Sequence, residues 1–170
     1  MFGILERRGK MIYTSRFSNP ELKSGNYTAV RISLGSPRWS VGYTIDGAIN
    51  ELMPRGLFGK HDNDKLTFEK EYRKILDRYG VSLISQKLEE YEKLGKDVVL
   101  LCYEDVRKGE NDWCHRTMFA KWWNDRTGEV IQELKDPTIP KIDKPKQEKV
   151  VAFKKEEPHE QEENLQLSLF

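Results

Sequence analysis

Apolar residues recur along the chain with two periods, and together they predict a small α/β fold. Short runs rich in β-branched residues at 11–15 and 28–33 predict two strands. The continuous apolar run at 97–103 predicts a central strand that is covered on both faces. Residues 128–134 fit either an edge strand or a short helix.

Between these strands, apolar residues return at the spacing of a helix. The pattern predicts helices at 44–53, at 66–79, from Ser82 to Gly95, and at 114–124. Strands separated by helices indicate a three-layer, mostly parallel sheet with helices on both faces. In such folds, ligands bind at the carboxyl ends of the strands.

The composition changes after Leu134, and this change sets the predicted domain limits. Residues 11–134 form the predicted α/β domain, and residues 1–10 precede it as an extension. Residues 135–163 contain several prolines and are otherwise mostly charged or polar, which predicts a disordered linker. Residues 164–170 are apolar again and form a separate short peptide.

Charge and cysteine content narrow the possible functions. The net charge is +1, whereas a protein that binds DNA without a partner protein usually has an excess of basic residues. The two cysteines do not suit a secreted disulfide scaffold. No stretch reaches the roughly 20 apolar residues that span a bilayer, and no apolar segment of a secretory signal follows the basic residues at the start. We therefore expect a cytoplasmic protein without a membrane partner.

The pentapeptide at 166–170 has the chemistry of a docking motif. Its residues are Gln166, Leu167, Ser168, Leu169 and Phe170. The glutamine amide offers a donor and an acceptor that fix the register, and the leucines and phenylalanine suit apolar pockets. In all five positions the peptide resembles the motif by which bacterial polymerases, repair factors and phage proteins bind the β sliding clamp. The resemblance implies the clamp as partner, with access to the DNA threaded through it.

The linker and the peptide also allow other arrangements. A linker of about 30 disordered residues has a root-mean-square reach near 30 Å, which suffices to hold a domain beside clamped DNA. The same leucines also suit an apolar groove on their own domain, or an added edge strand.

A second group of functional residues gathers at the end of the predicted central strand. Cys102 and Glu104 end this strand, and Cys114, His115 and Arg116 open the following helix. Free N–H groups at a helix start favour anions. The sequence thus predicts a carboxylate, two thiols, an imidazole and a guanidinium at one sheet edge.

Several chemistries fit this group. Glu104 and His115 suit acid/base catalysis, with Arg38 and Arg116 holding a phosphate. Cys114 suits a nucleophile activated by the helix start. Arginines near Trp39 also suit base stacking. The plain alternative is structural, with the cysteines in the core and Arg116 paired with Glu104.

Zinc is a further alternative, although no cofactor is predicted. Cys102, Cys114 and His115 carry suitable ligand atoms, with Glu104 or His61 as a fourth ligand. The spacing of the two cysteines matches no usual zinc-binding pair.

A strand ending in Cys-x-Glu, followed by Cys-His-Arg at a helix start, resembles domain-of-unknown-function family 488. The segments IYTSRFSNP at 12–20 and SPRW at 36–39 resemble that family's first strand and Pro-Arg loop, and the resemblance spans about residues 11–125. On the second strand the family often has Asp-Val-Arg, where this chain has Arg31-Ile32-Ser33. The resemblance implies a fold and a site but no reaction. The implied functional residues are Ser18, Asn19, Arg38, Cys102, Glu104, Cys114, His115 and Arg116.

These observations predict a DNA replication or repair factor, or an enzyme, that is tethered to the sliding clamp. Its nucleotide- or nucleic-acid-phosphate pocket is expected at the carboxyl end of strand 97–103. Two other interpretations stay open: a non-catalytic clamp-binding modulator, and a cytosolic small-molecule enzyme.

Overall fold

The computed structural model describes residues 10–142, which contain one five-stranded sheet. All strand pairs are parallel, and the strand order is β3-β2-β4-β1-β5. The strands are β1 (Ile12–Arg16), β2 (Tyr27–Arg31), β3 (Gly47–Ala48), β4 (Asp97–Cys102) and β5 (Gln132–Glu133). The α-helices are α1 (Lys65–Glu92) and α2 (His115–Thr127), and two 3₁₀ helices span Pro20–Ser24 and Asn50–Leu52. The predicted α/β class is confirmed.

Strand β4 lies at the centre of the sheet, as its apolar run predicted. It pairs with β1 through Ile12 opposite Val98, and with β2 through Thr28 opposite Val98. All its residues after Asp97 are buried. Because β-strand side chains alternate, this strand supplies apolar groups to both faces of the sheet.

The two faces carry different layers. Val98 and Leu100 face a core built with α1 and α2, which we call the helical face. Val99 and Leu101 face the opposite side, where Phe17 and the 3₁₀ helix Pro20–Ser24 cover them. We predicted helices on both faces of the sheet. The structure has both α-helices on the helical face, and one 3₁₀ helix with loops on the other face.

Helix α1 joins two segments that the sequence predicted as separate helices. Gly80 lies between them with φ 77° and ψ 159°, outside the helical region. Glycine tolerates this conformation because it has no Cβ atom. The interruption confirms Gly80 as the end of the first predicted helix.

The predicted helix at 44–53 is wrong. Its middle is extended and pairs with β2 as β3, and only residues 50–52 form a 3₁₀ turn. The Asp46 carboxylate accepts a hydrogen bond from the Ala29 amide, and the Asp46 amide donates to the Ala29 carbonyl. Ile49 is buried as its apolar character requires, but from an extended backbone.

The domain extends beyond the predicted limit at residue 134. Arg16 donates to the Asp136 carboxylate at 2.7 Å, and Arg107 donates to the Thr138 carbonyl at 2.7 Å. The first residues of the predicted linker thus belong to the folded domain. Residues 1–9 and 143–170 lie outside the described part, and with them the peptide at 164–170. Between residues 10 and 142, neither α-helix contains an apolar stretch of membrane-spanning length.

Candidate functional site

Three of the predicted residues meet in the protein interior, where β4 ends and α2 begins. Cys102, Cys114 and His115, here called the Cys–His cluster, expose 1%, 2% and 2% of their surfaces. Their ligand atoms all lie within 4.8 Å of one another, and both cysteines are free thiols. The turn from β4 into α2 therefore brings Cys102 together with residues twelve and thirteen positions later in the sequence.

His115 has polar neighbours on both sides of its ring. Its Nε2 atom lies 2.9 Å from the carbonyl oxygen of Ile32. A carbonyl only accepts, so Nε2 carries the proton, and in the neutral ring Nδ1 is left as an acceptor. Nδ1 faces Cys102 Sγ at 3.6 Å and Cys114 Sγ at 3.8 Å. Neither nitrogen is directed toward solvent, so the ring has no free position for the predicted acid/base exchange with a substrate.

The two thiols have opposite protonation tendencies. Hydrogen bonding to Cys114, burial and the nearby charges raise the pKa of Cys102. Burial opposes ionisation of Cys114, but a hydrogen bond from Cys102 and the positive charge of Arg116 hold the pKa of Cys114 well below its usual value. Between the two sulfurs, Cys102 is therefore the donor and Cys114 the acceptor.

Glu104 borders the cluster. Its Oε2 atom accepts a hydrogen bond from Cys102 Sγ at 3.2 Å, and its side chain is partly buried. Burial and the charge of Cys114 raise the pKa of the Glu104 carboxyl group. The carboxyl group thus adds oxygen atoms to the two sulfurs and the imidazole.

Arg116 is buried but does not pair with Glu104. Its Nη2 atom lies 2.8 Å from Glu133 Oε1, and Thr14 donates to the other oxygen of Glu133 at 2.7 Å. Burial disfavours the charged form, but the charge of Cys114 and the hydrogen bond to Glu133 raise the pKa of Arg116. Since only 1% of the side chain is exposed, Arg116 is closed to the phosphate that we expected it to hold.

One nitrogen of this guanidinium has no partner in the described part of the chain. Within residues 10–142, Nη1 of Arg116 is buried and has no hydrogen-bond acceptor. Unpaired buried donors are rare because each forfeits its solvation.

The other predicted residues take separate places. Asn19 is buried and caps the 3₁₀ helix, accepting from the Glu21 amide at 3.0 Å. Ser18 beside it is exposed, and so is Arg38. Within the described residues, the group of possible metal ligands includes neither His61 nor Glu104.

An aromatic surface lies outside this cluster, on the opposite face of the sheet. Tyr103 follows Cys102 directly and therefore points the other way, where its ring packs 4.9 Å from Phe17 and 5.9 Å from Trp39. Trp39 is 48% exposed and Tyr103 38%. We call Arg38, Trp39 and Tyr103 the Trp39 surface.

A groove of about 570 Å³ runs along this surface. It is lined by Ser36, Pro37, Trp39, Ser40, Val41, Gly42, Tyr43 and Ile45. Arg31 donates to the carbonyl oxygens of Ser33 at 2.6 Å and Leu34 at 3.0 Å, which positions the start of the loop. These hydrogen bonds hold the start of the loop that forms the groove, and the exposed indole of Trp39 lies beside it.

Sequence reasoning missed three contributors. Glu133 comes from a short edge strand, and nothing local links it to Arg116. The Ile32 carbonyl is backbone and carries no side-chain signal. Tyr103 had a usable signal, because strict alternation along β4 places it opposite Cys102.

Comparison with protein-family models, with curated proteins and with solved structures gives no match in any of the three. The resemblance to family 488 accordingly stays a prediction. The functional conclusion depends on the residues of this chain.

Proposed function

We propose that this protein is a DNA-transaction factor held at the β sliding clamp by residues 166–170, with the Trp39 surface binding a nucleotide or single-stranded nucleic acid. The observation that carries the proposal is the pentapeptide Gln-Leu-Ser-Leu-Phe, which fits the clamp-binding motif in every position. One polar anchor and three apolar side chains suit an extended peptide docked in an apolar groove.

The distance between the domain and the peptide suits a tether. Residues 143–165 separate the last described residue from the pentapeptide. At full extension these residues span roughly 75–80 Å. Such a length allows clamp and DNA to be reached together, and it raises the effective concentration of the domain on DNA.

A tether also accounts for the charge of the chain. With a net charge of +1, the protein lacks the electrostatic attraction that brings basic proteins to DNA. A partner that already encircles DNA removes the need for this attraction.

The Trp39 surface supplies the proposed contact with nucleic acid. An exposed indole stacks on any base, with a contribution of about 1–3 kcal/mol per base. Arg38 is exposed beside it and adds a cation for a phosphate. The Cys–His cluster is buried, so we give it a structural role beneath this surface.

The test is the affinity of the full chain for purified clamp, measured by fluorescence anisotropy. The double variant Leu169→Ala/Phe170→Ala removes two apolar anchors, and we expect affinity to fall at least 30-fold, as for interface hot spots. Leu165→Ala is the matched control, since it removes a leucine one position outside the motif, and it should change affinity less than about twofold.

Two results would contradict the tether. One is equal affinity of the double variant and the wild type. The other is an equal loss in Leu165→Ala, which would indicate general apolar contact without motif recognition.

A further inference from the structure

The Cys–His cluster has the donor set of a transition-metal site. It combines two sulfurs and one imidazole nitrogen, all buried, with a carboxyl group at the border. Sulfur and imidazole ligands suit zinc, whereas magnesium and calcium require oxygen ligands.

The distances match those that a tetrahedral zinc ion would impose. Zn–S bonds of about 2.3 Å and Zn–N bonds of about 2.0–2.1 Å place a sulfur and a nitrogen about 3.6 Å apart. Nδ1 of His115 lies 3.6 Å from Cys102 Sγ and 3.8 Å from Cys114 Sγ. The two sulfurs lie within 4.8 Å of each other, a limit that allows the sulfur–sulfur distance of about 3.8 Å at a tetrahedral zinc ion.

The surroundings of the histidine match those of a metal ligand. Metal-bound histidines donate their second ring N–H to a carboxylate or a backbone carbonyl, which fixes the ring and directs the free nitrogen at the ion. His115 makes this contact through Nε2 to the Ile32 carbonyl at 2.9 Å. Tyr72 packs edge-on against the ring at 5.5 Å and restricts its rotation.

From these contacts we infer that Cys102, Cys114 and His115 bind one Zn²⁺ ion, and that Glu104, which lies outside the group of ligand atoms within 4.8 Å, turns inward to fill the fourth position. Glu104 already contacts Cys102 Sγ at 3.2 Å. The inference does not depend on clamp binding or on nucleic-acid binding.

The charge of the site is consistent with this assignment. Two thiolates balance the charge of the ion, and Glu104 adds one negative charge. The positive charge of Arg116 acts on both cysteines, and among residues 10–142 its Nη1 atom meets no acceptor. The sulfurs of a zinc–thiolate group would supply negative charge to this buried cation.

The ion would join three elements beneath the sheet edge. Cys102 ends β4, His115 begins α2, and the Ile32 carbonyl follows β2. Structural zinc sites stabilise folds because the ligands converge only in the folded state.

Metal content of the purified full chain tests the inference. Elemental analysis of protein from unsupplemented medium should give one zinc per chain. Replacement by Co²⁺ should give the sulfur charge-transfer band and the visible bands of tetrahedral cobalt. Cys114→Ser and His115→Ala should each lower zinc affinity at least 100-fold, and Glu104→Gln about 10- to 100-fold.

His61→Ala is the matched control, because it removes a histidine outside the cluster and should keep full occupancy. The Co²⁺ spectrum uses the wild type, so it decides the case even when a cysteine variant fails to fold. Absence of bound metal with no Co²⁺ spectrum would overturn the inference, as would full occupancy in Cys114→Ser. Stoichiometric iron or copper would overturn the choice of zinc.

Discussion

Two neighbouring residues at the end of β4 lie in opposite environments, one buried and one exposed to solvent. Cys102 is 1% exposed and faces the α-helices, and Tyr103 is 38% exposed and faces the loop that carries Trp39. The first belongs to a polar cluster enclosed by protein, and the second to an aromatic surface open to solvent. Buried polar groups need hydrogen-bond partners inside the protein. A contiguous exposed apolar patch is typical of a site that binds another molecule. One strand end thus carries both the proposed metal site and the proposed binding surface.

The largest expected effect is a loss of stability when the Cys–His cluster is changed, which is not expected for the Trp39 surface. Removal of zinc from the Cys–His cluster by a chelator should destabilise the wild type by about 4 kcal/mol, if zinc is held at about 1,000 times its dissociation constant. This corresponds to a fall in Tm of about 8–16 °C for a domain of this size. Cys114→Ser should start from the lower Tm and not respond to the chelator. A chelator effect of equal size in the wild type and in Cys114→Ser would contradict a stabilising zinc ion at the Cys–His cluster.

The next effect concerns the buried cation beside the cluster. Glu133→Ala leaves Arg116 without its partner, and we expect a loss of about 2–3 kcal/mol in urea unfolding, since uncompensated buried charge is costly. The double variant Arg116→Met/Glu133→Ala should recover part of this loss, because an apolar side chain replaces the charge. If Glu133→Ala costs less than about 0.5 kcal/mol, burial of the guanidinium does not depend on this pair.

The Trp39 surface should respond in binding and not in stability. Trp39→Ala should weaken binding of a short oligothymidylate roughly tenfold through lost stacking, with Tm unchanged. Tyr79→Ala is the control, because it removes an exposed aromatic ring on α1, away from the groove. Binding that is equal in the two variants would remove the proposed role of this surface.

The smallest effect is a pH dependence at the same edge. Hydrogen bonding and ion pairing with Arg107 lower the pKa of Asp105 to about 2. Because the folded pKa lies below the unfolded value of about 3.9, this carboxylate stabilises the fold above pH 4 and loses its contribution as pH falls toward 2. Asp105→Asn should flatten the stability profile in that range by less than about 1 kcal/mol. An unchanged profile would show that the pair does not stabilise the fold.

The sequence predicted those parts of the fold where one physical requirement dominated. Strand β4 has a long apolar run that only a central strand satisfies. Gly80 marked a helix end because its backbone conformation excludes other residues. The segment at 44–53 failed because Ile45, Ile49 and Leu52 fit a helix and an extended chain equally well. The deciding contacts, Asp46 to Ala29, come from a distant strand.

The candidate site shows the same limit. Convergence of Cys102, Cys114 and His115 followed from the order of strand and helix, so the sequence placed them together. The ion-pair partner of Arg116 could not be predicted from the sequence. Arg116 pairs with Glu133 and not with Glu104. Side-chain pairing across a sheet depends on register, and local sequence does not encode it for a strand of two residues.

The X-ray absorption spectrum of the full chain at the zinc edge reports the atoms bound to the ion in the Cys–His cluster. We expect two sulfur atoms at about 2.3 Å and nitrogen or oxygen atoms at about 2.0–2.2 Å, from Cys102, Cys114, His115 and Glu104. A zinc shell of nitrogen and oxygen alone, or protein that takes up no zinc, would contradict the assignment of the cluster.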